Sequence, residues 1–106
     1  MKNLGGMGNL MKQARRLQED LEKAQAEIAK MKVEASSGGG MVTATVTGQG
    51  QLVGLKLEKE IVDPEDIDML ADLLIAAVQE AQKKAQALSQ EKLGPLAQGM
   101  NLPMMP

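Results

Sequence analysis

From Met7 to Met31 apolar residues recur at alternating spacings of three and four: Met7, Leu10, Ala14, Leu17, Leu21, Ala24, Ile28 and Met31. This is the heptad seam of an amphipathic helix. Good helix formers fill the intervening positions (Lys12, Gln13, Arg15, Arg16, Glu19, Glu22, Lys23, Glu27), and Gly5, Gly6, Gly8 and Asn9 place its start near Met7. A helix of about 24 residues spans on the order of 36 Å. A small globule cannot cover that length, so the pattern predicts that much of the helix projects or pairs with another helix through Leu10, Leu17, Leu21 and Ile28.

The period then changes from 3.6 to two. After Lys32–Ser36 and a Ser37-Gly38-Gly39-Gly40 turn, Val42, Ala44 and Val46 alternate with Thr43, Thr45 and Thr47, which predicts a strand over Met41–Thr47. Gly48-Gln49-Gly50-Gln51 reads as a second turn. Leu52–Lys59 reads as another strand, with Val53, Leu55 and Leu57 on one face and Lys56 and Glu58 on the other. The short turns favour pairing of neighbours into a three-stranded antiparallel meander with one apolar face.

Asp63-Pro64-Glu65-Asp66 has the chemistry of a helix start, with Asp63 as N-cap, Pro64 at the first helical position and acids at the positive end of the macrodipole. Ile67, Leu70, Leu73, Leu74, Ala77, Val78, Ala81, Ala85 and Leu88 form a broad apolar stripe, and Gly94-Pro95 is a stop signal. Residues 95–106 carry no charge, three of the four prolines and three methionines, and read as a flexible Met/Pro-rich tail behind a single domain over residues 1–94.

Composition narrows the chemistry. The 106 residues include no Cys, His, Trp, Tyr or Phe, so disulfides, thiol and imidazole chemistry and the usual zinc and haem ligand sets are excluded. Ser36, Ser37 and Ser89 lack a histidine partner, and nothing buries a lysine to act as base. Gly38-Gly39-Gly40 leads into a strand and lacks the Lys-Ser/Thr of a phosphate loop. Asp63, Glu65, Asp66, Asp68 and Asp72 are explained by capping, dipole complementarity and solvation rather than by a metal. The sequence therefore predicts neither an enzyme nor a cofactor, a metal or a small-molecule substrate. With Leu73–Val78 as the longest apolar run and no apolar segment after Lys2, it also predicts a cytoplasmic protein with no membrane partner. A core without aromatics and rich in alanine is thin, which favours burial against a second copy.

Charge is segregated. Residues 1–16 hold Lys2, Lys12, Arg15 and Arg16 without an acid; residues 61–80 hold six acids without a base; and residues 81–106 hold Lys83, Lys84 and Lys92 against Glu91. If the first helix enters the sheet by its carboxyl end and the second leaves it by its amino end, both free tips are basic. Lys12, Arg15, Arg16, Lys83, Lys84 and Lys92 are then the candidate contacts for a polyanion such as double-stranded DNA, unless they only solvate exposed helix. The competing reading is a coiled-coil adaptor that binds another protein through helix faces or the Met-rich tail, consistent with a net charge of -2 and the absence of base-stacking aromatics.

Four segments, Gly5-Gly6-Met7-Gly8-Asn9-Leu10-Met11-Lys12-Gln13-Ala14, Ser37-Gly38-Gly39-Gly40-Met41-Val42, Asp72-Leu73-Leu74-Ile75-Ala76-Ala77 and Gly99-Met100-Asn101-Leu102-Pro103, resemble the YbaB/EbfC family of bacterial nucleoid-associated proteins. The resemblance covers nearly the whole chain. It implies an α+β protomer of order α-β-β-β-α, an intertwined homodimer with long projecting helices, and DNA binding on the nucleoid. Lys83-Lys84 matches a late basic pair of that family but holds no arginine, which weakens bidentate phosphate contact there.

Overall fold

The computed structural model describes the backbone of residues 2–99 and the side chains of residues 6–96. Helix α1 (Lys2–Lys30) leads into strands β1 (Lys32–Ser37), β2 (Val42–Thr47) and β3 (Leu52–Leu57), and helix α2 (Ile67–Gly99) follows. The sheet is antiparallel in the order β1-β2-β3. This is the α-β-β-β-α arrangement expected from the residue pattern, drawn out to 78 × 28 × 16 Å.

The core lies between the sheet and α2. Val42, Ala44 and Val46 of central β2 are fully buried, Val33 and Ala35 of β1 flank them, and Ala77, Ala81 and Ala85 of α2 press onto them. The three alanines are spaced i, i+4, i+8, so they form one ridge whose small side chains let the helix axis approach the sheet closely. Met31, Ile61, Leu73, Leu74 and Val78 close the rim. The other sheet face is polar, with Ser36 hydrogen-bonded to Thr43 at 3.1 Å and the Thr45 hydroxyl donating to Glu34 at 3.5 Å.

Helix α2 covers β1 and β2 and stops short of β3. A bulge at Thr45/Val46 pairs Thr45 with Gly54 and Val46 with Leu52, leaving Val53 as the extra residue. Leu52, Leu55 and Leu57 therefore lie beside Val46, Ala44 and Val42 on the core face, in place of the expected Val53, Leu55 and Leu57. Leu52 and Leu55 remain 42% and 45% exposed. The strand ends at Leu57, before Glu58 and Lys59, where a short 3-10 turn takes over.

Three helix boundaries differ from the sequence reading. Helix α1 begins before Met7 and runs through Gly5, Gly6 and Gly8. Each glycine costs about 1 kcal/mol against alanine, but extending a formed helix avoids the cost of nucleation. Helix α2 begins at Ile67, with the Asp66 carboxylate accepting the Met69 N–H at 3.2 Å as its cap. Asp63 instead accepts the Glu65 N–H on its carboxylate and the Asp66 N–H on its carbonyl. Asp-Pro suits the first two places of a tight turn as well as it suits a helix start. At the far end α2 continues through Gly94-Pro95 to Gly99. Gly94 has no Cβ to clash with the proline ring, and the carbonyl deprived of its partner is that of exposed Glu91. Of the expected flexible tail, residues 95–99 are helical and residues 100–106 lie outside the described part.

Two turns fix the frame. Gly38, Gly39 and Gly40 take φ of 60°, 66° and 93°, a left-handed run open only to glycine at low cost. Beside them the Ser37 hydroxyl donates to the Leu73 carbonyl at 2.6 Å, tying the end of β1 to α2. In the other turn the Gly48 N–H donates to the Met31 carbonyl, and a Cβ at Gly48 would run into the carbonyl of Ile28. This turn, which also accepts the Ser89 hydroxyl on Gly48 and the Gln82 amide on Gly50, seats the base of α1 against α2.

Candidate nucleic-acid interface

The seam of α1 is graded. Ile28 is buried at the base, Leu17, Leu21 and Ala24 are half-buried, and Met7, Leu10 and Ala14 are exposed. The gradient follows from what lies alongside. The last turns of α2 pack on α1, with Leu93, Gly94 and Leu96 half-buried and Lys92 Nζ 3.6 Å from Glu27 Oε2. The two helices run antiparallel from that ion pair, so at about 1.5 Å per residue Gly99 stands about level with Asp20. Among the described residues, no part of α2 accompanies α1 before that level.

Lys12, Arg15 and Arg16 sit on this part of α1. Their i, i+3, i+4 spacing gathers them on one face, and at about 100° per residue that face points away from the seam. All three are exposed, and among the described residues none forms an ion pair. The nearest carboxylate in sequence is Glu19, so the projecting end carries uncompensated positive charge.

The helix-two lysines do not join this tip. Lys92 is held beside Glu27, roughly 16 Å below Arg16 along the axis. Lys84 donates to the Glu34 carbonyl of β1 at 3.2 Å, and exposed Lys83 is its neighbour where α2 crosses the sheet. The expected pair of basic tips is therefore one basic tip on α1 and a trail of lysines descending α2, because α2 packs along β1 and β2 and only its last turns accompany α1. The six cations spread over roughly 36 Å of the long axis. The acids at the start of α2 occupy the opposite end, as Asp68 precedes Lys92 by 24 residues, about 36 Å.

A depression of about 400 Å³ beside the α1 base is lined by Gly48, Gln49, Gly50, Gln82, Gln86 and Ser89. Its lining carries no ionisable group, and Gln82 and Ser89 already spend donors on the turn carbonyls. No sequence motif signalled it, because the turn and the helix meet only in the fold. Asp63 and Asp66 use carboxylate oxygens on backbone N–H groups. Among the described residues no group of three acidic side chains could hold a metal ion, and no helix is long and apolar enough to cross a membrane.

Comparison with known proteins gives this arrangement a context. A nucleoid-associated protein of Streptomyces avermitilis is 55% identical over 94 residues, covering 89% of this chain and 83% of its own length. One from Exiguobacterium sp. is 44% identical over 103 residues, covering 97% and 98%, and one from Alkaliphilus metalliredigens is 43% identical over 97 residues, covering 92% and 85%. The crystal structure of an uncharacterized protein from Helicobacter pylori shares the fold, with a TM-score of 0.60 at 23% identity over 82% of this chain and 96% of that one. The YbaB/EbfC DNA-binding family matches residues 2–100, taking in the projecting helix, the sheet and the whole of α2. With that match and relatives of this identity, the chain belongs to the YbaB/EbfC DNA-binding family.

Proposed function

We propose that this protein binds double-stranded DNA as a homodimer, mainly through phosphate contacts with weak sequence selectivity, and works on the bacterial nucleoid in the cytoplasm, where it affects nucleoid organisation and gene expression. The observation that carries the reading is the projecting end of α1, where Lys12, Arg15 and Arg16 are exposed and unpaired among the described residues on a segment without a carboxylate. An acidic protein can approach a polyanion only through such a segregated surface. Guanidinium groups offer forked donors suited to phosphate, and no aromatic is present to stack on bases. The names of the relatives support the nucleoid as the place of action.

Homodimerisation is supported by apolar surface that the protomer leaves open. Leu52, Leu55 and Leu57 continue the core face beyond the reach of α2, on a strand that is also a sheet edge. A second copy would cover that face and double the number of tips.

The test is a titration of random-sequence duplex across salt concentrations. If about four to six phosphates are neutralised, log K against log salt falls with a slope of roughly -4 to -5. Arg15→Glu combined with Arg16→Glu nearly abolishes binding while helix content and mass stay at parental values. Reversing Asp68 and Asp72 to Lys, at the far end, leaves binding intact or raises it. An arginine variant that held duplex as tightly as the parent would overturn the tip as the site and favour a protein-binding adaptor.

A further inference from the structure

The basic tip is also apolar. Met7, Leu10 and Met11 are 62%, 65% and 64% exposed, among the most open large hydrophobic side chains of the described residues. Leu10 belongs to the middle of the seam and Met7 only to its edge, so a helix laid along it would cover Leu10 first. Met11 stands about 100° around the helix from Leu10, off the seam and toward the cations. Met7, Met11 and Arg15 are spaced i, i+4, i+8 and form one ridge, and Gly8, Lys12 and Arg16 form the ridge beside it. A methyl group at Gly8 would meet nothing within 4 Å, so the surface between Met7, Met11 and Lys12 is bare backbone.

We infer that Met11, with Met7, is a wedge that enters between base pairs of the bound duplex and unstacks them while Lys12, Arg15 and Arg16 hold the flanking phosphates. This rests on the DNA-binding reading above and adds the mode of engagement. A ligand that matches this face must be anionic outside and apolar within, which describes a base-paired duplex. A second copy of the helix fits poorly, since pairing across the methionine ridge would set Arg15 and Lys12 of each helix against their counterparts, with no acid before Glu19 to relieve them. Methionine suits the task because its flexible, polarisable thioether adapts to an irregular apolar gap, and apolar side chains of this kind kink duplexes by partial insertion at a base step. Sequence preference then arises from how readily a step unstacks, with pyrimidine–purine steps favoured over A-tracts.

The experiment uses the full chain, a duplex of about 30 base pairs carrying 2-aminopurine at central steps, and donor and acceptor dyes at its ends. Parent protein is expected to raise the 2-aminopurine emission and shorten the end-to-end distance. Met7→Gln with Met11→Gln is expected to bind within about threefold of the parent with the same salt slope, and to lose both signals. Met11→Leu, which stays apolar, is expected to keep them. Parent protein that binds with no rise in emission overturns the wedge and leaves phosphate binding standing; parent protein that fails to bind overturns both. A glutamine variant that still unstacks the duplex, or that loses salt slope along with affinity, overturns the wedge as well. So does tight binding to phosphatidylglycerol vesicles that the glutamine variant loses while the duplex stays stacked, since the ridge would then serve a membrane surface.

Discussion

Glycine has opposite meanings at positions that look alike in the sequence. At Gly48 a methyl group would meet the Ile28 carbonyl and side chain, both fixed in the seat of α1, so Gly48→Ala should lower stability by about 1–3 kcal/mol, read as a lower denaturation midpoint at unchanged slope. At Gly6 and Gly8 the space around a Cβ is empty, and the residues are helical. Replacing both by alanine should therefore raise helix content and stabilise the start of α1 by about 0.5–1 kcal/mol each. If Gly48→Ala proved neutral, the contact between the turn and α1 would be looser than the geometry describes. The ion pair between Lys92 and Glu27 contrasts with these steric effects: its side chains are 44% and 57% exposed, and Glu27→Gln should change stability by less than about 1 kcal/mol.

At the scale of elements, α2 is a rigid span anchored by small residues. Ala77, Ala81 and Ala85 allow close contact with β1 and β2, so Ala81→Leu should lift the helix from the sheet at a cost of about 1–3 kcal/mol, detectable as a lower melting temperature. Its cap is equally specific: Asp66→Ala should cost about 1 kcal/mol, and Asp63→Ala, which loosens only the preceding turn, should cost less. The order of helices and strands was legible because periods of 3.6 and two are imposed by burial on one side. The boundaries were less legible, since Asp-Pro and Gly-Pro are compatible with turn and helix alike, and the surrounding chain decided between them. Alternation along Leu52–Leu57 could not reveal Val53 as an inserted residue, because a bulge depends on the partner strand. The candidate site divided in the same way. Lys12, Arg15 and Arg16 were readable as a face of one helix, whereas Lys84 and Lys92 are set by contacts with Glu34 and Glu27 that lie 50 and 65 positions away in the chain.

At the scale of the whole molecule, the described residues form a rod with a well-packed middle that leaves the face of β3 and the upper seam of α1 incompletely covered. If a second copy covers β3, light scattering at micromolar concentration should give twice 11.3 kDa. Leu52→Asp with Leu55→Asp should reduce that to the protomer mass, because a carboxylate cannot be buried there unpaired. A parent mass of 11.3 kDa held at every concentration would rule the pairing out.

The segregation of charge along this rod has a consequence for encounter. Cations on α1 and acids at the start of α2 are separated by roughly 55 Å, which gives the chain a large electric dipole along its length. A two-fold axis preserves only the component of that dipole parallel to itself. Protomers joined with their α1 ends on the same side would add their moments, turn in the field of a nucleic acid before touching it and arrive oriented, whereas protomers joined end to end in opposite directions would cancel them and arrive at random. The sensitivity of the association rate to ionic strength, measured apart from that of the dissociation rate, would thus report the symmetry of the proposed dimer.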